Sequence, residues 1–408
     1  MNKRQWALLA VPALLLLSAC SSLREPASSV PSAACPACAP CAKCPGVEPV
    51  TPALPPAKPL QAARWEDLPG WAEDNHVAAW PAFEQSCRGM AGKPYWPLWR
   101  PACEAAKRVD GRDSMAVRRF FEAEFSPFLA VNPDGNSEGL ITGYYEPLLL
   151  GSRVRGGPSQ YPVHGVPKDL LTIELADVIP ELKNKRVRGR LVGNKVVPYY
   201  SRGEIIERDR PAPVLLWVDD AVELFFLQIQ GSGRVKLPSG EMVRVGYADQ
   251  NGHPYQSVGR VLIERGELKS GEASMQGIQA WARANPHKLD ELLNTNPSYV
   301  FFRELPSKFG PDAGPPGALG VPLVAERTIA VDPRTTPLGA PVFLSTTRPN
   351  SAEPMRRLVM AQDTGGAIKG VVRADFFWGF GAEAGAEAGR MKQSGQMWVL
   401  LPPGAAPR

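Results

Sequence analysis

Two aspartates, Asp363 and Asp375, lie in a glycine-rich and otherwise apolar stretch of the chain, residues 361–381. The tripeptide Phe376-Phe377-Trp378 follows Asp375 directly. An acid beside bulky apolar groups loses hydration of its charged form, so we expect the pKa of Asp375 to be raised. A raised pKa suits a general acid that works near neutral pH. The alternative interpretation is a glycine-rich hairpin whose aspartates cap turns.

A pair of tyrosines offers a second kind of chemistry, the stacking of sugar rings. Tyr144 and Tyr145 end a short strand that the apolar pattern predicts over Leu140–Tyr145, just before Pro147. Aromatic side chains at a strand end can form a platform for a sugar. The alternative is that one ring of the pair lies in the core and the other on the surface.

Two amides suggest a polar wall for the same ligand. Gln228 and Gln230 alternate with apolar residues in a run, Glu223–Gln230, that we predict to be a strand. Alternate residues of a strand share one face, so both amides would point the same way. Amides offer donors and an acceptor to sugar hydroxyls. A solvated sheet face is the alternative.

Other classes of site find little support. The four histidines are scattered, without the spacing of zinc ligands, so metal catalysis is not expected. No nucleophile elbow, phosphate-binding loop or dinucleotide fingerprint is present. Without Lys3 and Arg4 of the leader, 44 basic residues face 41 acidic ones, a net charge near +3. That balance does not favour nucleic acid as a partner.

The N-terminus is predicted to be a signal peptide, residues 1–19. Lys3 and Arg4 precede the apolar run Trp6–Leu17, which is too short to span a bilayer. The sequence Leu17-Ser-Ala-Cys20 then resembles the lipobox of bacterial lipoproteins. That resemblance implies cleavage before Cys20 and its acylation, and Ser21 implies transport to the outer membrane. An ordinary secretory signal followed by a free cysteine is the alternative.

A tether is predicted over residues 20–62, because this segment is rich in Pro and Ala and lacks a periodic apolar pattern. It contains four cysteines between Cys35 and Cys44. We interpret these as local disulfides and not as a zinc or redox site, because no histidine lies near and the compartment is oxidising. Cys87 and Cys103 lie in the folded part, where we expect a structural disulfide.

The folded part is predicted to contain two domains. Helical patterns at 80–90 and 113–125 precede a region of short β-type runs, which suggests a small antiparallel barrel. A second β-rich part begins near residue 321. The economical layout is a discontinuous domain, 65–150 plus 250–405, into which a barrel of residues 151–249 is inserted. The cleft between them is the expected ligand site.

Several motifs of the chain resemble those of the MltA family, the membrane-bound lytic murein transglycosylases A. The motifs are the three-aspartate pattern of the 3D domain, with Asp332-Pro333, Asp363-Thr-Gly-Gly-Ala-Ile-Lys-Gly370 and Asp375, together with Gly143-Tyr-Tyr-Glu-Pro147 and Gln228-Ile-Gln230-Gly-Ser-Gly233. The match covers nearly all of the chain after residue 65, with the 3D part at about 321–401. It implies a mainly β fold with some α: a discontinuous double-psi β-barrel, a smaller inserted β-barrel, and glycan bound in the groove between them.

The resemblance also implies a reaction. A single aspartate, here Asp375, would protonate the glycosidic oxygen between N-acetylmuramic acid and N-acetylglucosamine in peptidoglycan, and its carboxylate would then deprotonate the muramyl C6 hydroxyl. Attack of that hydroxyl on C1 leaves a 1,6-anhydromuramyl end and requires no cofactor or metal. Asp363 would tune the pKa of Asp375 or stabilise charge at C1. Two alternatives stay open: a two-carboxylate muramidase, which is a hydrolase, and a non-catalytic peptidoglycan-binding lipoprotein of the outer membrane.

The expected site therefore has three groups of residues. Asp375 and Asp363 are the catalytic candidates, and Cys20 is the lipidation site. The substrate-binding candidates are Thr142, Tyr144, Tyr145, Gln228, Gln230, Ser232, Asp332 and Lys369. The expected partners are peptidoglycan strands, the outer membrane through the lipid anchor, and cell-wall synthesis or division proteins.

Overall fold

We describe the protein from a computed structural model, which covers residues 57–183, 185, 187–207, 212–306 and 313–405. The predicted signal peptide, Cys20 and the cysteines of the tether lie outside these residues. The described residues belong to one compact unit. The end of the predicted tether is folded, because Leu60 is buried and its strand pairs with residues 128–130. The predicted boundary at residue 62 is therefore a few residues too late.

The regular elements of the described residues alternate between helical and β segments. The α-helices are α1 (His76–Met90), α2 (Trp96–Ala106), α3 (Ser114–Glu124), α4 (Arg202–Glu207), α5 (Ala221–Gln230), α6 (Val258–Glu264), α7 (Met275–Ala284), α8 (Leu289–Asn294) and α9 (Gly381–Arg390). The strands up to the middle of the chain are β1 (Leu60–Ala62), β2 (Ser126–Ala130), β3 (Gly139–Glu146), β4 (Leu148–Ser152), β5 (Tyr161–His164), β6 (Leu171–Ile173), β7 (Val187–Val192), β8 (Lys195–Pro198) and β9 (Val214–Val218). The later strands are β10 (Ser232–Lys236), β11 (Met242–Gln250), β12 (Val300–Glu304), β13 (Thr328–Val331), β14 (Pro341–Thr347), β15 (Pro354–Asp363), β16 (Arg373–Phe380) and β17 (Lys392–Leu401).

The first barrel is built from an eight-stranded sheet in the order β1-β2-β17-β14-β15-β13-β16-β3. An additional pairing of β17 with β3 closes β17, β14, β15, β13, β16 and β3 into a ring. Two pairings in the ring, β13 with β15 and β16 with β3, are parallel. A closed mixed ring made from strands before and after an insert agrees with the double-psi barrel that the sequence predicts.

Helices α1, α2 and α3 pack on this barrel through a shared apolar core. Helices α1 and α3 contact each other through an aromatic cluster that includes Trp80, Phe83 and Phe121. The predicted disulfide between Cys87 and Cys103 is present and joins α1 to α2. A bridge that closes a loop of this length contributes about 3 kcal/mol in the chain-entropy account.

The second barrel is a six-stranded sheet in the order β12-β11-β10-β4-β9-β5. A bridge between Gly165 and Phe302 joins its two ends. The insert therefore reaches to Glu304, and the predicted boundary at residue 249 is wrong. Helices α6, α7 and α8 belong to the insert as well, because they share an apolar core with α5. The sequence pattern missed this because the returning strand β12 follows three helices.

The run Glu223–Gln230 is a correction to the sequence analysis, because it lies in helix α5 and not in a strand. Asp220 caps the helix by accepting hydrogen bonds from the Val222 and Glu223 amides at 2.7 and 2.9 Å. Gly231 ends it with φ of 79°, in the left-handed region that favours glycine. A near-continuous apolar run of this length does not separate a buried helix from a buried strand.

Candidate active site

The strand register of the first barrel brings the two predicted catalytic aspartates into one row. Ala330 of β13 is paired with Asp363 of β15 on one side and with Asp375 of β16 on the other. Asp375 in turn is paired with Thr142 of β3. Because two strand spacings separate the aspartates, their Cα atoms are about 10 Å apart. The residues between the two aspartates in the sequence form most of the glycine-rich turn that joins β15 to β16.

Asp375 is a partly buried carboxyl group with one hydrogen-bond donor. The Thr142 hydroxyl donates to Asp375 Oδ1 at 2.6 Å. Burial raises the pKa of Asp375 to about 6, while the Thr142 hydrogen bond and the charge of Arg373 lower it, and the Asp363 charge adds a small increase. Burial is the larger effect, so the group carries a proton over a range in which an ordinary aspartate is ionised.

The apolar surroundings that raise this pKa differ from those expected. Side chains alternate along β16, so Phe376 and Trp378 point away from the face that carries Asp375. They join the main core of the barrel instead. Phe377 lies on the Asp375 face and packs against Tyr144 with ring centroids 5.1 Å apart. One aromatic of the tripeptide, and not all three, therefore lies beside the acid.

Asp363 is held in place by three donors from different parts of the chain. The Tyr144 hydroxyl donates to Oδ2 at 3.1 Å, and the Ala318 and Thr364 amides each donate to Oδ1 at 2.9 Å. Burial raises the pKa of Asp363, and these hydrogen bonds oppose the increase. Its oxygens are already occupied, so its orientation is fixed before any ligand arrives.

The two tyrosines do not form the exposed platform that the sequence suggested, because both are largely buried. Tyr144 donates to Asp363, and its pKa is raised well above the ordinary value by burial and by the two aspartates. Tyr145 points to the other face of β3, where its hydroxyl lies 3.2 Å from the Met275 sulfur. Only Tyr144 therefore contacts a catalytic candidate, Asp363, whereas Tyr145 packs on the opposite face of β3.

The two amides occupy different surroundings because α5 is a helix. Residues two apart on a helix do not share a face, so the predicted common wall is wrong. Gln230 accepts a hydrogen bond from the Tyr145 amide at 3.1 Å and so ties α5 to β3. Gln228 is buried in the insert, where its carbonyl oxygen has no partner among the described residues.

Asp332, the third aspartate of the motif, is buried and holds neighbouring parts of the chain together. It is 1% exposed, and its carboxylate accepts hydrogen bonds from the side chain of Arg334 and from the Gly370 amide at 3.0 Å. The Arg334 hydrogen bonds hold the pKa of Asp332 well below its usual range. It anchors the turn that joins β15 to β16. Lys369 is exposed on that turn, and Ser232 is half-buried at the start of β10.

Glu146 is a site residue that the sequence analysis missed. It is fully buried at the end of β3 and pairs with Arg234 of β10 at 2.9 Å and Arg244 of β11 at 3.4 Å. Arg234 also stacks over Phe380, the last residue of the strand that carries Asp375, at 4.0 Å. These ionic contacts join the two barrels. Two features of the sequence could have indicated this cluster: an acid directly before Pro147, and arginines within otherwise apolar strands.

Among the residues that the structure describes, no group of His, Cys, Asp or Glu side chains is arranged to hold a metal ion. The chemistry that the site can perform with its own side chains is proton transfer. It has one carboxyl that is protonated near pH 6 and a second, fixed carboxyl in the same row of the barrel.

Comparison with protein families matches two parts of the chain. The family model described as the MltA specific insert domain matches residues 140–303, and the 3D domain matches residues 327–401. The first range begins within β3 of the first barrel, and its end agrees with the observed end of the second barrel at β12. The chain is 35% identical over 274 residues to membrane-bound lytic murein transglycosylase A of Escherichia coli K12. That alignment covers 65% of the chain and 66% of the relative, slightly less than two thirds of its length.

Solved structures extend the similarity to most of the chain. MltA from Neisseria gonorrhoeae is 39% identical, with a TM-score of 0.75 over 86% of this chain and 94% of that one. E. coli MltA with bound chitohexaose is 26% identical, with a TM-score of 0.64 over 85% of this chain and 96% of that one. Both similarities span the two barrels described above.

Proposed function

The chain belongs to the MltA family of membrane-bound lytic murein transglycosylases, and from that premise we propose that it cleaves peptidoglycan with Asp375 as its single acid and base. The bond broken is the β-1,4 bond between N-acetylmuramic acid and N-acetylglucosamine. The observation that carries the proposal is the state of Asp375, whose pKa burial raises to about 6.

The first step is protonation of the leaving group. Asp375 donates its proton to the glycosidic oxygen as the bond from that oxygen to C1 of the muramyl residue breaks. The N-acetylglucosamine unit leaves with a free hydroxyl, and positive charge develops at C1. The Thr142 hydroxyl, 2.6 Å from Oδ1, fixes the orientation of the carboxyl group for this transfer.

The second step returns the proton to the enzyme. The Asp375 carboxylate removes the proton of the muramyl C6 hydroxyl while that oxygen bonds to C1. An internal nucleophile gains from proximity, and no activated water is needed. The products are a 1,6-anhydromuramyl end and an Asp375 that is ready for another cycle.

Asp363 contributes charge in this proposal. Its three hydrogen-bond donors hold it rigidly, which suits electrostatic stabilisation of the charge developing at C1. Its negative charge also raises the pKa of Asp375. It does not need to exchange a proton with the substrate.

We also propose that the glycan crosses the row of Asp363, Asp375 and Thr142 in the groove between the barrels. The relative crystallised with chitohexaose supports a chain of β-linked sugars as ligand. Lys369 and Ser232 remain candidates for contact with it. Gln230, Tyr144 and Tyr145 act by holding the groove together, and Asp332 by anchoring its turn.

Attachment to the outer membrane is a further part of the proposal. It rests on the lipobox Leu17-Ser-Ala-Cys20 and on Ser21, and on the membrane-bound relatives. No helix within the described ranges is long and apolar enough to cross a membrane. Cys20→Ala is expected to abolish incorporation of labelled fatty acid, and equal labelling of the variant and the wild type would contradict the anchor.

Release of soluble fragments from purified sacculi tests the catalytic proposal. We expect the wild type to release fragments and Asp375→Asn to bind the same sacculi without releasing them. A wild type that binds but releases nothing would instead support the non-catalytic glycan-binding protein.

A further inference from the structure

We propose that a basic patch beside the catalytic acid, formed by Arg373 and Lys392, binds the carboxylates carried by the 3-O-lactyl group of the muramyl residue. The inference rests on the proposed function, since it concerns the ligand of the same site. It assigns to these two residues a preference for acidic muramyl glycan over uncharged chitin oligomers. Neither residue donates or accepts a proton in the two transfers, although the charge of Arg373 lowers the pKa of Asp375.

Arg373 lies on the same face of β16 as Asp375, because the two residues are two positions apart on a strand. Its Cα atom is therefore about 7 Å from that of Asp375. The half-buried guanidinium donates to the carbonyl oxygens of Leu140, at 3.3 Å, and Ala374. Among the residues that the structure describes, no carboxylate forms an ion pair with it. An arginine that is fixed by backbone carbonyls and forms no ion pair can bind a carboxylate ligand.

Lys392 adds a second cation on the neighbouring strand. It is paired in register with Thr142, the residue whose hydroxyl donates to Asp375. Directly opposed residues of paired strands point to the same side, so Lys392 faces the side on which the acid lies. It is exposed, and no ion pair involving it is found within the described ranges.

Another acid beside this patch, Glu138, does not neutralise it. Glu138 precedes β3, and its carboxylate accepts a hydrogen bond from the Ser394 hydroxyl at 2.8 Å. It forms no ion pair with Arg373 or Lys392 in the described part of the chain. Exposed Lys369 lies on the turn that leads into β16 and carries a further positive charge.

The position of the patch matches the chemistry of a muramyl residue. The C1 atom that reacts and the C3 atom that carries the lactyl group belong to the same sugar ring. When C1 lies at Asp375, the lactyl group projects a few ångströms to one side, a distance comparable to the separation of Asp375 and Arg373. N-acetylglucosamine has no such group. The carboxylate recognised is either that of a peptide-free lactyl group or one of the stem peptide attached to it.

Calorimetric binding in an Asp375→Asn background, which prevents turnover, tests the inference with three ligands. The ligands are chitohexaose, a peptide-free muramyl glycan and a peptide-bearing muramyl glycan. We expect Lys392→Gln to raise the Kd of a muramyl glycan about threefold, as for an exposed ion pair. Arg373→Gln combined with Lys392→Gln should raise it about tenfold or more, because a charge-assisted hydrogen bond is lost as well. The Kd of chitohexaose should not change.

Controls separate charge from folding. Lys195→Gln removes an exposed lysine from β8, which belongs to a separate three-stranded sheet of the insert. This variant should leave all three Kd values unchanged. Arg373→Lys keeps the charge and should retain most of the preference. A loss confined to the peptide-bearing ligand assigns the patch to the stem peptide, and a loss with both muramyl ligands assigns it to the lactyl group.

Two results would overturn the inference. One is an equal loss of affinity for chitohexaose and the muramyl glycans, which would mean that the variants disturb the groove itself. The other is no loss for either muramyl ligand while all three ligands still bind, which would leave the proposed function intact. Failure of every ligand to bind would instead overturn the proposed function together with this inference.

Discussion

At the scale of single residues, the acidity of Asp375 results from opposed effects. Burial favours the neutral carboxyl, whereas the Thr142 hydroxyl and the Arg373 charge favour the carboxylate. The resulting pKa of about 6 lets one group give up a proton and take one back near neutral pH. The balance can be tested by removing one of the opposing groups.

Thr142→Val removes a hydrogen bond that lowers the pKa of Asp375. We expect the pKa to rise, so Asp375 stays protonated to higher pH. The alkaline limb of the pH profile of kcat/KM should then shift to higher pH, as measured by fragment release across a pH series. Thr142→Ser keeps the hydroxyl and should keep the wild-type profile. A downward shift for the valine variant would contradict the assigned role.

The two aspartates are predicted to differ in importance. Asp375→Asn can neither donate nor accept the proton, and general acid–base catalysis contributes about 10²–10⁴ in rate. In the proposed mechanism one group does both, so its loss should lie at or above the top of that range, with glycan binding retained. Asp363→Asn should reduce the rate less, since Asp363 contributes charge only. Turnover numbers for both variants decide this, and the opposite order would show that the acid is Asp363.

The residue types of the site were predictable to different extents. The two aspartates and the disulfide could be predicted because acids and cysteines carry their chemistry in the sequence. The role of Tyr144 could not, because its direction depends on the pairing of β3 with β16, which are distant in the chain. Glu146 was overlooked for the same reason, since its two arginine partners lie on strands of the insert.

At the scale of elements, the apolar run of α5 shows where pattern reasoning fails. Its residues are buried on several sides, so the helical period is weak. The N-cap residue Asp220 and the C-terminal Gly231 are the sequence features that indicate a helix here. Strand β3, by contrast, contains the run Leu140–Tyr145 that the sequence pattern predicts to be a strand.

The insert barrel should lose stability in acid because of His164 at the end of β5. This residue is 1% exposed, and burial lowers its pKa from 6.5 to about 4. Below pH 6.5 His164 is protonated in the unfolded chain but stays neutral in the folded chain. The contribution of neutral His164 to the free energy of unfolding is therefore lost as pH falls from 6.5 to about 4. Urea unfolding at a series of pH values measures this.

The matched variants for this experiment are His164→Gln and His287→Gln. His164→Gln cannot charge, so its deficit relative to the wild type should shrink as pH falls through this window. His287 is exposed, and its replacement should leave the slope unchanged. Identical slopes for the wild type and His164→Gln would contradict the account.

At the scale of the whole molecule, the two barrels are joined by a buried charge cluster. Glu146 belongs to the first barrel, and Arg234 and Arg244 belong to the second. The stacking of Arg234 on Phe380 connects the cluster to β16, the strand that carries Asp375. The cluster therefore fixes the two barrels to each other near the strand that carries Asp375.

Glu146→Gln should destabilise the protein because two buried arginines lose their counter-charge. Breaking a buried pair by removing one partner costs about 3–5 kcal/mol. Glu304→Gln is the matched control, since its pair with Arg153 is exposed and should change stability by less than about 1 kcal/mol. The free energies of unfolding of both variants measure the difference. Equal values would show that the cluster does not hold the barrels together.

The order of the domains was predictable, but the end of the insert was not. The break after Tyr145 is marked by Pro147 and by a change in pattern. The return at β12 follows three helices and is defined by its pairing with β11, which no local signal reveals. Closure of both barrels depends on such distant pairings.

The central claim is that Asp375 directs the muramyl C6 hydroxyl to C1, and the mass of the product tests it most directly. Purified sacculi are digested with the wild-type protein, and the soluble muropeptides are analysed by mass spectrometry. We predict products with 1,6-anhydromuramyl ends. Because no water is added, the masses of the two products of each cleavage should sum to the mass of the parent strand. Products one water heavier, with a reducing muramic acid end, would show hydrolysis and contradict the account.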